Sequence, residues 1–365
     1  MNPSEFDLSE FDRTMVQRCL TLARTAVGLT APNPLVGSVI VNDGQIVGEG
    51  FHPKAGEPHA EVFALRQAGA AARGATLYVN LEPCSHFGRT PPCVLAIVEA
   101  GLARVVVGMV DPNPKVSGQG IEKLKEAGIA VTVGVEEVAC RQLNEAFIHR
   151  MVHRQPFGIL KYAMTLDGQI AAPTGHSQWI TSPTARQAVH QLRSTCDAVI
   201  VGGNTVRQDN PHLTSHAVAA HNPLRVVMSR SLDLPTQANL WQTDIAPTIV
   251  FTETAANPTL QTALQQQGVE VITTDSLKPE FVMQTLYERG CLTVLWECGG
   301  ILAAAAIRAG AVQKLWAFIA PKLIGGSHFT PIGDLGLEKM SDAVTLRDLK
   351  IDPIGPDWRI EAYLE

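Results

Sequence analysis

The chain is predicted to be α/β throughout, folded as two successive units. Three observations carry this. Short apolar runs alternate with helical stretches from residue 75 onward, which is the pattern of a covered parallel or mixed sheet. The 365 residues exceed one typical domain and suit two, and 45% hydrophobic content supplies large cores. The charged, proline-bearing stretch His149-Arg150-Met151-Val152-His153-Arg154-Gln155-Pro156 interrupts the alternation. It sets the expected boundary, giving units 1–153 and 154–365.

In the first unit, Asp12 is placed to cap a helix running to about Gly28, with Met15, Cys19, Leu22 and Ala26 as its apolar stripe. Asn33-Pro34-Leu35-Val36-Gly37 leads into a strand at 38–41. Asn42-Asp43-Gly44 turns the chain into a second strand at 45–50, so these form a hairpin. A helix follows that contains His59 and Glu61. Two residues apart in mid-helix, their side chains would not share a face, so the pair is expected in the first turn, one residue non-helical. Strands are then expected at 75–81, 104–110 and 131–135, with helices at 92–100, 119–127 and 136–153.

In the second unit, strands are expected at 157–164, 197–201, 224–228, 247–251, 270–273, 292–297 and 314–320. Helices are expected at 184–195 and 301–309. No repeat links the halves.

Net charge is −6 and no dense basic block occurs, which argues against binding nucleic acid through its phosphates. The longest apolar runs are too short to span a bilayer, and residues 1–12 lack the order of a signal peptide. Seven scattered cysteines do not read as a disulfide framework, so a cytoplasmic protein is expected.

The chemistry concentrates between His59 and Cys93. His59-Ala60-Glu61 is followed by Pro83-Cys84-Ser85-His86-Phe87-Gly88-Arg89-Thr90-Pro91-Pro92-Cys93. One imidazole and two thiolates bind zinc and leave its fourth position open, and an adjacent carboxylate can move protons. This is the zinc deaminase pattern, H-x-E then P-C-x-x-C, except that eight residues separate the two cysteines. Buried core thiols are the bland reading of these residues. A structural zinc would need a fourth protein ligand, for which His86 is the nearby candidate.

The second unit has no G-x-G-x-x-G. It does have Glu297-Cys298-Gly299-Gly300 between a strand and a helix, where glycines let backbone N–H groups approach a phosphate. An ordinary glycine turn is the bland alternative. Lys161 falls inside a strand-like run, where a charge needs a partner. Asp209 and Glu297 are candidates, against the possibility that Lys161 snorkels from an edge strand.

Taken together, these residues resemble the bifunctional deaminase–reductase family of bacterial riboflavin biosynthesis. The first half matches in Asn33-Pro34-x-Val36-Gly37, His52, Pro58-His59-Ala60-Glu61, the segment from Leu81 to Cys93, and Asp111-Pro112-Asn113-Pro114-x-Val116-x-Gly118-x-Gly120. The second matches in Leu166-Asp167-Gly168, Trp179-Ile180-Thr181, Asp209-Asn210-Pro211-x-Leu213-Thr214, Glu297-x-Gly299-Gly300 and Ala320-Pro321. The resemblance implies a cytidine deaminase-like α/β/α sandwich followed by a dihydrofolate reductase-like α/β domain. It implies zinc-dependent hydrolysis of the 2-amino group of 2,5-diamino-6-(5-phosphoribosylamino)pyrimidin-4(3H)-one, then NADPH reduction of the ribosyl group to ribityl. It also implies a homodimer.

Carried over by residue, His59, Cys84 and Cys93 would hold zinc and Glu61 would move protons. Asn33, His52 and Arg89 would face the first substrate. In the second half, Ala163, Trp179, Thr181, Thr205, Asp209, Gly299, Gly300, Ile301, Leu302, Ala303 and Ala304 match the cofactor side. Ser177, Arg193, Leu213 and Glu297 match the substrate side, and Lys161, Asp209 and Glu297 would orient the ribosyl group. The chain departs from the family pattern at His216 (usually Arg), Ser229 (usually Asp) and Cys298 (commonly Gly). A partly charged imidazole at 216 weakens the expected phosphate clamp. Two rival readings follow: an active zinc deaminase carrying a non-catalytic nucleotide-binding or structural domain, and a zinc-dependent tRNA- or nucleotide-editing deaminase fused to a binding domain, which the lack of a basic face disfavours.

Overall fold

A computed structural model describes residues 10–87, 91–113, 116–219, 221–326 and 329–365. The chain divides into two compact units, Met1–Arg154 and Gln155–Glu365.

The first unit opens with α1 (Glu10–Arg24), which buries Met15, Val16, Cys19, Leu20 and Ala23. Asp12 does not cap it. Asp12 lies inside the helix, and its carboxylate accepts from the Tyr78 hydroxyl at 2.9 Å and from Arg104 at 2.7 and 3.0 Å. These charge-assisted bonds outweigh what an exposed helix end offers. Past Arg24 the chain continues in tight turns to Gly28, at φ 80°.

β1 (Gly37–Asn42) and β2 (Gln45–Phe51) form the expected hairpin, with left-handed backbones at Asp43 and Gly44. That pair of conformations matches the twist of the flanking strands. Gly37 is required by packing, because a Cβ there would come within 2.1 Å of the Cys19 carbonyl oxygen on α1.

Then follow α2 (Ala60–Ala68), β3 (Thr76–Leu81), α3 (Cys93–Glu99), β4 (Arg104–Met109), α4 (Gln119–Glu126) and β5 (Ala130–Val133). The sheet order is β2-β1-β3-β4-β5, antiparallel around β1 and parallel from β3 to β5. Ile40, Leu77, Val79, Val105 and Val107 share one face with Ile97 of α3 and Leu124 of α4. The single helix expected over 136–153 is two, α5 (Glu137–Leu143) and α6 (Glu145–His153). Asn144 breaks it, because its side chain bonds both the N–H and the carbonyl of Leu35, at 2.8 and 3.0 Å.

The second unit runs β6 (Phe157–Thr165), α7 (Pro183–Ser194), β7 (Ala198–Gly202), α8 (Gly203–Asp209), β8 (Leu224–Met228), β9 (Thr248–Glu253), α9 (Pro258–Gln266), β10 (Glu270–Thr274), α10 (Pro279–Glu288), β11 (Thr293–Trp296), α11 (Gly300–Arg308), β12 (Lys314–Ala320), β13 (Leu346–Ile354) and β14 (Asp357–Leu364). Its nine-stranded sheet has the order β10-β9-β8-β7-β11-β6-β12-β14-β13, parallel except for the final hairpin. Leu160, Ile200, Val226, Phe251 and Trp296 pack with Val282 and Met283 of α10 and with Ala303 and Ala306 of α11. Ala185 and Val189 of α7 pack against Phe318 of β12. The sequence reading did not anticipate α8, α9, α10, β13 or β14. Among the described residues no helix is long and apolar enough to cross a membrane.

Candidate active sites

In the first unit, two helix starts and the end of β3 converge. His59 is the N-cap of α2, with extended backbone at φ −76° and ψ 163°. A regular helix would turn residues two apart by about 200°. The extended cap brings His59 and Glu61 to one place, as expected for a first-turn pair.

Cys93 is the first residue of α3, after Pro92. Its N–H donates to the Cys84 sulfur at 3.2 Å. His59 Nδ1 stands 3.4 Å from Cys84 Sγ and 3.2 Å from Cys93 Sγ, and the three donor atoms all lie within 4.8 Å of one another. His86 is exposed and does not join this group. A Cys93 thiol donating to Cys84, then His59 and the Cys93 N–H, pull the Cys84 thiol down to about 4 against burial. Cys93 is pushed up, chiefly by holding the proton it gives to Cys84. One nitrogen and two sulfurs, one of them readily a thiolate, are the donor set that zinc takes with a fourth position left open.

Glu61 is 3% exposed. Burial and then the Cys84 charge raise its carboxyl, and its buried Oε2 has no hydrogen-bond partner among the described residues. A buried carboxylate oxygen without a partner among the described residues, beside one nitrogen and two sulfur donors, fits a metal and its water. The residues therefore fit a catalytic zinc.

His52 is buried and neutral-leaning, because burial lowers its pKa. The Pro58 carbonyl can only accept, so Nδ1–H donates to it at 3.1 Å and Nε2 accepts from the Asn33 amide at 3.0 Å. Both ring nitrogens are thus used within the protein. His52 aims Asn33 and does not offer a nitrogen of its own, which narrows the expectation that both touch substrate. Arg89 lies outside the described residues.

The sequence reading missed Glu82, which is buried one residue before Pro83. Its Oε1 accepts from the N–H groups of Gly120 and Ile121, at 2.8 and 3.4 Å. Its Oε2 accepts from those of Asp111 and Gly118, at 3.1 and 3.0 Å. Lys123 adds a 2.8 Å bond to the Ser85 carbonyl. Together they tie the segment before α4 to the cysteine loop. The motif glycines at 118 and 120 were the available signal.

In the second unit, a cavity of about 1410 Å³ opens at the carboxyl ends of β6, β7, β8 and β11, the usual ligand position in such sheets. Lys161 is on β6, a central strand, so it does not snorkel from an edge. The parallel pairing of Trp296 with Leu160 sets residue 297 level with Lys161. Glu297 accepts from Arg193 Nε and Nη2, at 2.5 and 3.0 Å, and from Lys161 Nζ at 3.4 Å. Burial would raise the Glu297 carboxyl, but Arg193 and then Lys161 hold it down at about 2. Burial lowers Lys161 more than Glu297 restores it, and Arg193 lowers it further. Asp209 faces Lys161 and accepts from Ser177 Oγ at 3.2 Å. Lys161 thus sits between both expected carboxylates, with Glu297 the bonded one.

Ala163, Trp179, Thr181, Thr205, Ser177, Leu213, Gly299, Gly300, Ile301 and Leu302 all line the cavity. The Trp179 ring, exposed, lies under the Arg186 guanidinium at 4.4 Å. Ala303 and Ala304 do not reach the cavity. They are buried, because the inner face of α11 packs into the core. Gly299 has open space where a Cβ would be. A Cβ on Gly300 would come within 2.5 Å of the Thr330 carbonyl oxygen, so this glycine serves chain packing, not phosphate approach.

Comparison with known proteins gives one consistent picture. Residues 156–360 match the family described as the RibD C-terminal domain, and residues 9–109 match the cytidine and deoxycytidylate deaminase zinc-binding region. The riboflavin biosynthesis protein RibD of Synechocystis is 61% identical over 354 residues, covering 97% of this chain and 96% of that one. The Escherichia coli RibD is 41% identical, covering 95% and 97%. The solved structure of Acinetobacter baumannii RibD aligns with a TM-score of 0.88 at 37% identity, covering 98% and 99%. A Thermotoga maritima diaminohydroxyphosphoribosylaminopyrimidine deaminase/5-amino-6-(5-phosphoribosylamino)uracil reductase aligns at 0.85 with 36% identity, covering 97% and 99%.

Proposed function

The chain belongs to the bifunctional deaminase–reductase family of riboflavin biosynthesis, and from that membership we propose a residue-level account of both reactions. The enzyme deaminates 2,5-diamino-6-(5-phosphoribosylamino)pyrimidin-4(3H)-one. It then reduces the ribosyl group with NADPH to give 5-amino-6-(5-phosphoribitylamino)uracil. The reading assigns 1–153 to the deaminase and 154–365 to the reductase.

His59, Cys84 and Cys93 would hold Zn2+, which when bound supplies Lewis acidity that makes a water nucleophilic near neutral pH. Glu61 takes the attacking water's proton and delivers it to the departing nitrogen. Its buried position and raised carboxyl support both halves of that transfer. Asn33, aimed by His52, holds the pyrimidine, and Arg89, which lies outside the described residues, is assigned to the substrate phosphate by its family position alone. Closely packed donor atoms beside a buried carboxylate whose Oε2 has no partner among the described residues are the single observation that carries the deaminase assignment.

In the reductase, NADPH supplies hydride, and the cavity segments around Thr205 and Gly299 would receive it. Reductive opening of the ribosyl ring at its anomeric carbon would leave the ring oxygen in need of a proton. Lys161 is the proton carrier in this reading. Arg193 holds Glu297 through two bonds, whereas Lys161 has one longer contact and a lowered pKa. Ser177, Leu213 and Asp209 complete the substrate and cofactor walls. A two-step assay tests the whole account, with ammonia release followed by loss of NADPH absorbance. Unchanged NADPH oxidation in Glu297→Ala would move the reductase site elsewhere.

A cytoplasmic homodimer is part of the proposal. Seven free thiols support the first word. Leu346, Leu349 and Ile351, exposed on the terminal strand β13, support the second. Sedimentation equilibrium of the native chain and of Leu349→Glu checks the dimer, with a monomeric native chain counting against it.

A further inference from the structure

Trp179 stands in the open on the wall of the second-unit cavity. It is 62% exposed, whereas Trp241 and Trp296 are buried in the core. An indole with so little packing around it needs another restraint to keep one orientation. Polar bonds supply that restraint. The Arg186 guanidinium lies over the ring, and its Nη1 donates to the Thr181 carbonyl at 2.8 Å. The Ser182 N–H donates to the buried Asp357 carboxylate at 2.8 Å. Lys322 Nζ donates to the carbonyl of Trp179 itself at 2.8 Å.

Lys322 is an exposed side chain, and a long stem moving freely in water would hold a carbonyl poorly. Its backbone, however, is fixed. β6 and β12 end level, with Thr165 opposite Ala320, so the segments that follow them leave the sheet side by side. The Leu166 N–H donates to the Lys322 carbonyl at 2.9 Å. Asp167 then ties the two segments together. Its Oδ2 accepts from the N–H groups of Ile324 and Gly325, at 3.0 and 2.8 Å, and its Oδ1 accepts from the Thr165 hydroxyl at 2.5 Å. Neither Asp167 nor Lys322 is among the residues that line the cavity, but the tryptophan they hold is.

We propose that Asp167 and Lys322 are positioning residues of the reductase, forming a strap that sets Trp179 as a wall against which NADPH seats. The inference rests on the reductase reading, which makes Trp179 a cofactor-side residue. Asp167 fixes the backbone that carries Lys322, Lys322 fixes the backbone of Trp179, and Arg186 sets the plane of the ring. Order present before binding is not lost on binding, so the strap acts on cofactor affinity and not on the chemical step.

The test is reductase kinetics of the full chain with NADPH and the deaminated intermediate, beside NADPH binding read by energy transfer from tryptophan to the nicotinamide. Lys322→Met keeps the stem and removes the donor. Its KM for NADPH rises about three- to tenfold, the weight of one ordinary hydrogen bond. Its kcat and its KM for the intermediate stay within about twofold. Asp167→Ala has the same signature, and the double variant is no worse than Asp167→Ala, because both act through one strap. Lys322→Arg still carries a donor and keeps the native KM. In a Trp179→Ala background neither Lys322→Met nor Asp167→Ala changes the KM for NADPH further. An unchanged KM for NADPH in Lys322→Met overturns the strap. So does a rise that persists without the indole, or a joint shift of kcat and both KM values, which is what a merely structural role would give. Lys322 is exposed, so Lys322→Met decides the question even where Asp167→Ala fails to fold. NADPH binding that weakens in Lys322→Met, with no oxidation of NADPH by the intermediate in the native chain, would instead sink the reductase reading and leave the strap standing.

Discussion

Glu61 is the residue where environment and task meet most directly. A carboxylate kept from water accepts a proton more readily than an exposed one, and burial together with the Cys84 charge raises it. Glu61→Gln keeps the volume and removes only that capacity. Deamination should fall by about 10²–10⁴-fold while zinc content stays at the native level, checked by ammonia release beside metal analysis. Lost zinc, or retained deamination, would remove Glu61 from its role. Glu297 shows the opposite electrostatics. It is 8% exposed and held at about 2 when folded, against an ordinary value of 4.5. A depressed carboxylate contributes stability that is fully present above about pH 4.5 and lost as pH falls toward 2. The contribution is about 3 kcal/mol. Urea unfolding of the second unit between pH 5 and 3 should show this loss, and Glu297→Gln should flatten it.

Among elements, the segment before α4 depends on one side chain. Glu82 collects four backbone N–H groups with two oxygens. In Glu82→Gln one oxygen becomes an NH2 facing two donors. The first unit should lose roughly 3 kcal/mol, since each bond to a charged acceptor is worth about 1.5–3 kcal/mol. Deaminase KM should rise with zinc retained, as read by denaturant melts and substrate titration. Sequence motifs marked the glycines that approach Glu82 but not the carboxylate itself, because the contact spans more than 30 residues. Elsewhere, apolar periodicity located the parallel strands well, since strands buried on both faces read as continuous runs. It missed β13, which carries Arg347, Asp348, Lys350 and Asp352 with largely exposed side chains and so lacks a buried face to pattern. It also joined α5 to α6, because the bonds that break the helix at Asn144 reach back to Leu35. The zinc triad was legible because its ligands sit in local motifs. The Lys161–Glu297–Arg193 group was only half legible, because strand register, not spacing, sets Glu297 level with Lys161.

At the scale of the whole chain, each chemistry is built from a single compact unit. His59, Glu61, Cys84 and Cys93 all come from Met1–Arg154, and every residue lining the reductase cavity comes from Gln155–Glu365. Among the described residues that line the reductase cavity, the one thiol is Cys298, which burial and then Glu297 push up and keep protonated. Among the described residues, only the first unit gathers the nitrogen and two sulfurs that zinc takes. Chelation should consequently separate the two activities. Dialysis of the full chain against a strong zinc chelator should abolish ammonia release. NADPH oxidation with the deaminated intermediate should stay within about twofold of its starting rate. Adding back one equivalent of Zn2+ should restore the first activity alone. The thermal transition of the first unit should fall on chelation, because ligands that bind only the folded state stabilise it. The transition of the second should not move. Parallel loss of both activities would mean that the metal supports more of the molecule than the site that holds it.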